Sequence, residues 1–400
     1  MSRSITFLSD NPPLKHKGSG ISVLLYNILC ALDQSYKLNL ITFCQAAGAS
    51  AAEIVNENDK VDILVADRSL EKFYPMLRFG ILQRTAKWVS FILSIPKILR
   101  RYNRSDNVFI TVVGASIMPV CKAMILMKLA GRAKHGLYIV DDLELLNQKQ
   151  GNRFELFLIG IFLKRTIQKS DLLINISQGL KELYLDKYNK DSIVLPPHFA
   201  KRAQLDPKES KKEFKFLYTG GLNLLYNDSL RFFASVIDRM NDSGGYQFTY
   251  KLVIQTYSDK AVFNELNFPL AHVVYSTNEN RSELIKVYEQ CECFLVPYSF
   301  AEEDLGIVVT SFPQKIAEII QYGRKILVFG PDYSSVNGFF KLNGLSYICN
   351  EKSVEALSIA IKNISEGYFD VRTYLEAYEN NLSAAAIVKV FQRLNEQLDK

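Results

Sequence analysis

What most constrains this chain is a pattern that repeats from end to end. Short stretches dense in Val, Ile, Leu, Phe and Tyr are each closed by turn or polar residues and followed by a segment of helix length. In the first half these runs read as strands at 5–9, 38–43, 62–66, 108–113, 137–140, 172–176 and 192–195. In the second half they fall at 215–218, 251–255, 272–275, 293–296, 326–329 and 346–349. Their apolar residues are continuous rather than alternating, as in strands covered on both faces of a parallel sheet. Between them lie helical spacings such as Ile21, Leu24, Leu25, Ile28, Leu29 and Leu32, which share one face. Strand–helix alternation on this scale predicts an α/β fold of doubly wound, Rossmann-like sheets.

At 400 residues the chain exceeds one hydrophobic core, and the pattern breaks once. Residues 196–213 carry two adjacent prolines, a charged run and no apolar period, which marks a linker over 197–213. This predicts an N-terminal domain over 1–196, a C-terminal domain over 214–382 and a last helix over 383–400. That helix, with Ala385, Ile387, Val388, Val390, Phe391 and Leu394 on its packing face, is placed to return toward the first domain. Two such domains facing one another would enclose a cleft lined by the carboxyl ends of both sheets, where ligands bind.

Composition narrows the classes further. At 48% hydrophobic and 22% charged, the chain is not disordered, collagen-like or coiled-coil. No stretch reaches about 18 uninterrupted apolar residues, which argues against a membrane-spanning helix. The first ten residues turn polar before a secretory apolar region could form, so the expected compartment is the cytoplasm. Six cysteines and four histidines are too scattered for a disulfide framework or a metal site, and the thiols read as buried. Residues 1–200 hold 26 Lys and Arg against 17 Asp and Glu, and the remainder 22 against 25. A basic first half suits an anionic surface.

Chemistry is expected at strand ends, first at 310–331. Ser311 with Gln314 three residues later has capping-box spacing, and Pro313 suits a first turn. A helix is therefore expected from Ser311 to about Tyr322, stopped by Gly323. Its amino end, with Lys315 in the first turn, would seat a phosphate. Glu318 falls on the same face, where a carboxylate can accept hydrogen bonds from ribose hydroxyls. The same spacing also suits a plain ion pair worth about 0.3 kcal/mol.

This segment resembles the donor-binding helix of glycosyltransferases with the GT-B fold, especially family 4. Those enzymes carry Glu-x7-Glu, a Gly five residues on and a buried strand. Glu318, Gly323 and 326–329 match the second half of that motif, and a Lys-x-x-Glu variant of it fits Lys315 and Glu318. Thr310 stands where the family's first Glu touches the donor sugar. The stretch 214–228, a strand entering Gly220 and Gly221 with a helix expected near Asp228, is similar to the first strand of the family's second domain. The resemblance implies that both glycines approach the donor. The family's clamping Arg and Lys are Gly221 and Tyr226 here, leaving the diphosphate to Lys315 and the amides of 311–314. The region 272–299 resembles the base-binding part, which would set Val274 and Tyr275 beside the nucleobase.

In the first domain the resemblance implies that a Gly-rich loop with Gly18 and Gly20 touches donor phosphate and acceptor. Candidate bases are His16, whose ordinary pKa lies near about 6.5, and Asp141 and Asp142, which follow a buried strand. Asp141 and Asp142 equally suit capping of the next helix, and His16 between two lysines equally suits solvent. An acid-rich turn after a strand also occurs as the metal-binding signature of the GT-A fold, which two strand–helix arrays exclude.

From Lys72 to Arg104 there are eight basic residues, no acidic ones and six interleaved aromatics. Such a segment suits an anionic membrane surface, or equally a core helix with a solvated face. Lys122, Lys128, Arg132 and Lys134 extend the basic set. The expectation is a glycosyltransferase in surface polysaccharide biosynthesis. It would carry a sugar from a nucleotide diphosphate sugar to a glycan or lipid-linked glycan at the inner membrane face, with no metal, no further cofactor and no nucleic acid. An inactive GT-B binding protein and a nucleotide-sugar epimerase are the alternatives.

Overall fold

The computed structural model describes residues 3–15, 19–43, 50–58, 60–69, 80–199, 212–268, 271–277 and 281–399. Strands lie at every position expected from the sequence. In the first half they are β1 (Ser4–Leu8), β2 (Lys37–Thr42), β3 (Asp62–Val65), β4 (Asn107–Val113), β5 (Lys134–Ile139), β6 (Leu172–Asn175) and β7 (Ile193–Val194). In the second they are β8 (Glu213–Thr219), β9 (Thr249–Gln255), β10 (Val273–Ser276), β11 (Cys293–Pro297), β12 (Lys325–Phe329) and β13 (Ile348–Cys349). Helices alternate with them: α1 (Gly20–Leu32), α2 (Ala51–Glu57), α3 (Gly80–Tyr102), α4 (Met118–Leu129), α5 (Leu143–Lys149), α6 (Arg153–Lys169) and α7 (Gln178–Tyr188). Then come α8 (Leu224–Ser243), α9 (Lys260–Glu265), α10 (Arg281–Glu289), α11 (Leu305–Thr310), α12 (Gln314–Ile320), α13 (Ser335–Leu342), α14 (Val354–Glu366), α15 (Val371–Asn381) and α16 (Ala384–Leu398).

The chain forms two compact units, residues 1–200 with 382–400, and residues 201–381. In the first, the parallel sheet runs β3-β2-β1-β4-β5-β6-β7. Ile5 on β1 pairs with Leu38 on one side and Val108 on the other. Strand order reverses between β1 and β4, and such a reversal opens a crevice outside the carboxyl ends. Helix α1 buries Leu24, Leu25, Ile28, Leu29 and Leu32. Helix α16 belongs to this unit, where Phe391 packs on Phe7 and Tyr36, each at 6.2 Å between ring centres. Arg3 donates to the Asn395 carbonyl at 3.1 Å and pairs with Asp399. On α16 the buried face is Ala386, Ile387, Phe391 and Leu394, so Ala386 takes the place expected for Ala385, which is exposed.

The second unit's parallel sheet runs β10-β9-β8-β11-β12-β13 and reverses between β8 and β11. Its core is aromatic: Phe214, Phe216, Phe233, Tyr250 and Phe329 are buried in mutual contact, each contributing about 2–3 kcal/mol of burial. The ends of β11 and β12 approach so closely that a Cβ on Gly330 would lie 2.7 Å from that of Tyr298.

Several expectations need correction. Helix α8 begins at Leu224 rather than near Asp228, because the Asn223 side chain caps it by accepting from the Leu225 N–H at 3.0 Å. Cys121, Cys291, Cys293 and Cys349 are buried, whereas Cys30 is exposed. Most of the linker expected at 197–213 lies outside the described residues. Among the described residues no helix is long and apolar enough to cross a membrane, and no cluster of His, Cys, Asp and Glu could hold a metal ion.

Candidate functional site

In the second unit the residues expected to bind a donor lie on the turn after β8, on the edge strand β10 and on the segment between β11 and β12, but the helix there differs from the expectation. Ser311 does not open it. Helix α11 closes on Ser311, whose N–H donates to the Ile307 carbonyl at 2.8 Å. Helix α12 starts at Gln314 with Pro313 as an N-cap that makes no side-chain cap bond. Proline has no N–H and disfavours helix in the residue before it, so Ser311–Pro313 is a bend between two helices and the capping box fails. Ser311 instead meets the buried Tyr298 hydroxyl at 3.3 Å, and its carbonyl accepts from the Ser335 hydroxyl. The helix ends at Ile320, two residues before the expected Tyr322, and Gly323 follows with φ of +59°, where a Cβ would lie 2.5 Å from Val371.

On α12, Lys315 Nζ lies 3.0 Å from Glu318 Oε2. Glu318 is only 7% exposed, while the Lys315 side chain is 40% exposed. The pair forms as the spacing allows, with its carboxylate buried. Buried Tyr288 on α10 lies within electrostatic reach of both, its hydroxyl raised above the ordinary tyrosine value by burial. Gln314 Nε2 is buried without an acceptor among the described residues. Thr310 turns its hydroxyl back onto the Gly306 carbonyl at 2.8 Å.

The Gly220–Gly221 turn follows β8. Gly220 has φ of +152°, and Gly221 accepts from the Tyr218 hydroxyl at 2.7 Å. Where a clamping cation would stand, Tyr226 lies with its ring 6.0 Å from those of Tyr218 and Tyr298. The side chain of Tyr257, 82% exposed, reaches over Gly221, whose Cβ would come 2.4 Å from the hydroxyl. Tyr275 sits on the edge strand β10 with its ring 4.8 Å from that of Phe263. Its hydroxyl donates to the Ser258 carbonyl at 2.8 Å, and Ser258 Oγ accepts from the Leu222 N–H at 2.9 Å. Tyrosines 218, 226 and 298 thus connect Gly221 to Ser311, while Tyr275 reaches the same turn through Ser258. Sequence reasoning missed Tyr257 and Tyr298; the signal was a tyrosine near the end of each of β8, β9 and β11. It also passed over Asp304, a buried acid at the start of α11.

In the first unit Asp141 and Asp142 follow β5. Asp142 is a helix cap: its Oδ1 accepts from the Leu145 N–H at 2.9 Å. Asp141 has no hydrogen bond among the described residues. Burial, and then the charge of Asp142, push its pKa up to about 6. Its Oδ2 lies 3.8 Å from where a Gly114 Cβ would stand, and Ile21 of α1 fills the same space. Gly114 follows β4, so Asp141 sits beside the β1–β4 reversal. Gly20 opens α1, where Ser19 accepts from the Ser22 N–H at 3.3 Å. His16 and Gly18 lie outside the described residues. Buried Glu155 accepts from the Ile117 N–H at 2.9 Å, so a carboxylate of the protein itself closes the amino end of α4.

The basic set is also redistributed. Lys122 is 1% exposed, with Nζ 2.5 Å from Asp10 and 3.8 Å from the Phe43 ring centre, so it joins no surface patch. In α3, Phe91 and Tyr102 are core residues and Trp88 packs edge-on against Phe91. The exposed face carries Val89, Ile92, Leu93 and Pro96, then Lys97, Arg100 and Arg101. Residues 70–79 lie outside the described part.

No family model matches the chain, and no curated protein matches it in sequence. Solved structures match it in fold. A lipopolysaccharide outer core galactosyltransferase, WaaB, in its apo form aligns over 99% of both chains with a TM-score of 0.64 and 14% identity. The trehalose-6-phosphate synthase OtsA aligns over 97% of this chain and 96% of its own, with a TM-score of 0.59 and 13% identity. An α,α-trehalose-phosphate synthase from Burkholderia xenovorans, in complex with glucose-6-phosphate, covers 98% of this chain and 99% of its own at 0.61 and 10%. These neighbours are GT-B glycosyltransferases, and this chain has the same GT-B fold of two Rossmann-like units.

Proposed function

We propose that this protein is a glycosyltransferase akin to family 4, moving a sugar from a nucleoside diphosphate sugar to a hydroxyl of a glycan or lipid-linked glycan in surface polysaccharide assembly. The observation that carries this reading is the Lys315–Glu318 pair, a buried carboxylate beside a half-exposed ammonium within electrostatic reach of buried Tyr288. A leaving nucleoside diphosphate develops negative charge that a preorganised cation stabilises. Lys315 supplies that cation, and Glu318 accepts hydrogen bonds from the ribose. The tyrosine-lined Gly220–Gly221 turn offers hydroxyl donors in place of the family's Arg and Lys.

On the acceptor side, the Asp142 carboxylate is engaged by α5 and Asp141 is not, which favours Asp141 as the base. With a pKa of about 6 it is ionised at neutral pH yet more basic than an ordinary carboxylate. One structural neighbour was solved with UDP-2-fluoro glucose, which accords with a nucleotide sugar as donor. The exposed apolar and basic face of α3 supports peripheral contact with an anionic membrane at the cytoplasmic side.

The test is thermal denaturation against a panel of UDP-, GDP- and ADP-sugars, followed by assay for transfer. A raised midpoint with one donor, and sugar transfer to an acceptor, supports the proposal. Protection with epimer formation makes the protein an isomerase, and protection by none of them makes it a scaffold.

A further inference from the structure

We infer that the first unit holds a second anion site, a phosphate-binding pocket at the amino ends of β1, β2 and β4. It lies at the opposite end of the sheet from Asp141, and it does not depend on the transferase reading. A cavity of about 250 Å³ opens there, smaller than a drug-sized ligand needs but ample for a phosphate with a few further atoms.

Its floor is rigid and polar. Asn107, 1% exposed, accepts from the Ser4 and Thr6 hydroxyls at 3.0 and 2.9 Å and donates to the Tyr102 carbonyl at 2.8 Å. Asn39, 2% exposed, donates to the same two hydroxyls at 2.8 and 3.0 Å. That leaves Asn39 Oδ1 with no donor among the described residues, and Asn39 lines the cavity.

The walls are cationic. Lys37 at the start of β2, Arg100 and Arg101 in the last turn of α3, and Arg104 in the α3–β4 turn all line the cavity. Two acids accompany them. Asp62 pairs with Arg101 at 3.5 Å and accepts from the Tyr102 hydroxyl at 3.3 Å. Asp106 is exposed. Lys37, Arg100 and Arg104 pair with no carboxylate among the described residues, so four cations face two acids. The C-terminal dipole of α3 accounts for Arg100 and Arg101. It does not account for Lys37 or Arg104, which arrive from other segments. Cations converging from three segments over a fixed polar floor raise the local potential, and guanidinium groups match phosphate oxygens in pairs. The ligand is a phosphate group, and a neighbouring ligand hydroxyl would meet Asn39 Oδ1. Such a group comes either from a soluble phosphoester or from a lipid headgroup presented beside the exposed face of α3.

The test titrates the protein with inorganic phosphate and with glycerol 3-phosphate by calorimetry, ionic strength being held constant with chloride. In parallel, vesicles of phosphatidylcholine with and without phosphatidylglycerol are floated with the protein. The variants are Lys37→Gln with Arg104→Gln, and separately Arg100→Gln, all exposed positions whose folding is checked by thermal midpoint in chloride. Losing one or two charge-assisted bonds should weaken binding about tenfold or more. Binding of the soluble phosphates that falls in this way supports the pocket and a soluble ligand. Binding only to anionic vesicles, lost in the same variants, supports the pocket and a headgroup. Binding to neither, or binding that every folded variant retains in full, overturns the inference.

Discussion

Asp141 is partly buried and makes no hydrogen bond among the described residues, and that has consequences for stability as well as chemistry. Its pKa rises from 3.8 to about 6, so the folded chain holds this proton more tightly than the unfolded chain does. The stability this contributes is present below about pH 4 and is lost as pH rises through 6, up to roughly 3 kcal/mol and about 1–2 kcal/mol once partial solvation is allowed for. Asp141→Asn should therefore stabilise the protein by about 1–2 kcal/mol at pH 8 and hardly at all at pH 4. Transfer activity should meanwhile fall by about 100-fold or more. Thermal melts at the two pH values and a kcat measurement check both halves. His198 behaves oppositely. It is 1% exposed, and burial, only partly offset by the Asn27 backbone, holds its pKa down at about 4. Its contribution is present above about pH 6.5 and is lost as pH falls toward 4, up to about 3 kcal/mol. In His198→Gln, the drop in urea midpoint between pH 7 and pH 4 should shrink. Neither environment was legible in the sequence, where Asp141 is an acid after a strand and His198 a histidine after two prolines, because burial is decided by distant segments.

At the scale of elements, legibility follows from how burial writes itself into sequence. Strands covered on both faces need unbroken apolar runs, so β1 to β13 could be read directly. Helix α11 could not, since Leu305-Gly-Ile-Val-Val-Thr310 carries the β-branched residues of a strand and is held helical by its surroundings. Its presence, together with Pro313, is what displaces the start of α12 from Ser311. Lys122 was missed for a related reason: a lysine reads as surface until a carboxylate and two aromatic rings, Phe43 and Phe91, enclose it. Helix α3 shows both outcomes at once, core aromatics on one side and an exposed apolar stripe on the other. Replacing Ile92 and Leu93, 54% and 74% exposed, with serine should change stability by less than about 0.5 kcal/mol. The same change should weaken adsorption to anionic vesicles by roughly tenfold. Cosedimentation shows whether it does, and unchanged adsorption would remove α3 from any membrane role.

Over the whole molecule, the fold is carried by pattern rather than by identity: 14% identity accompanies an alignment over 99% of both chains. What differs is the chemistry at the strand ends. Tyrosines 218, 226, 257 and 298 gather around the Gly220–Gly221 turn, and the charge available on α12 is Lys315 with its buried partner Glu318. Donor binding therefore depends on that pair. Calorimetric titration of the preferred nucleotide into the parent, Lys315→Ala, Glu318→Ala and, as a control, Asp141→Asn tests it most directly. Saturable binding is expected in the parent and in Asp141→Asn, weakened about tenfold or more in each of the other two. Equal affinity in all four proteins would contradict it.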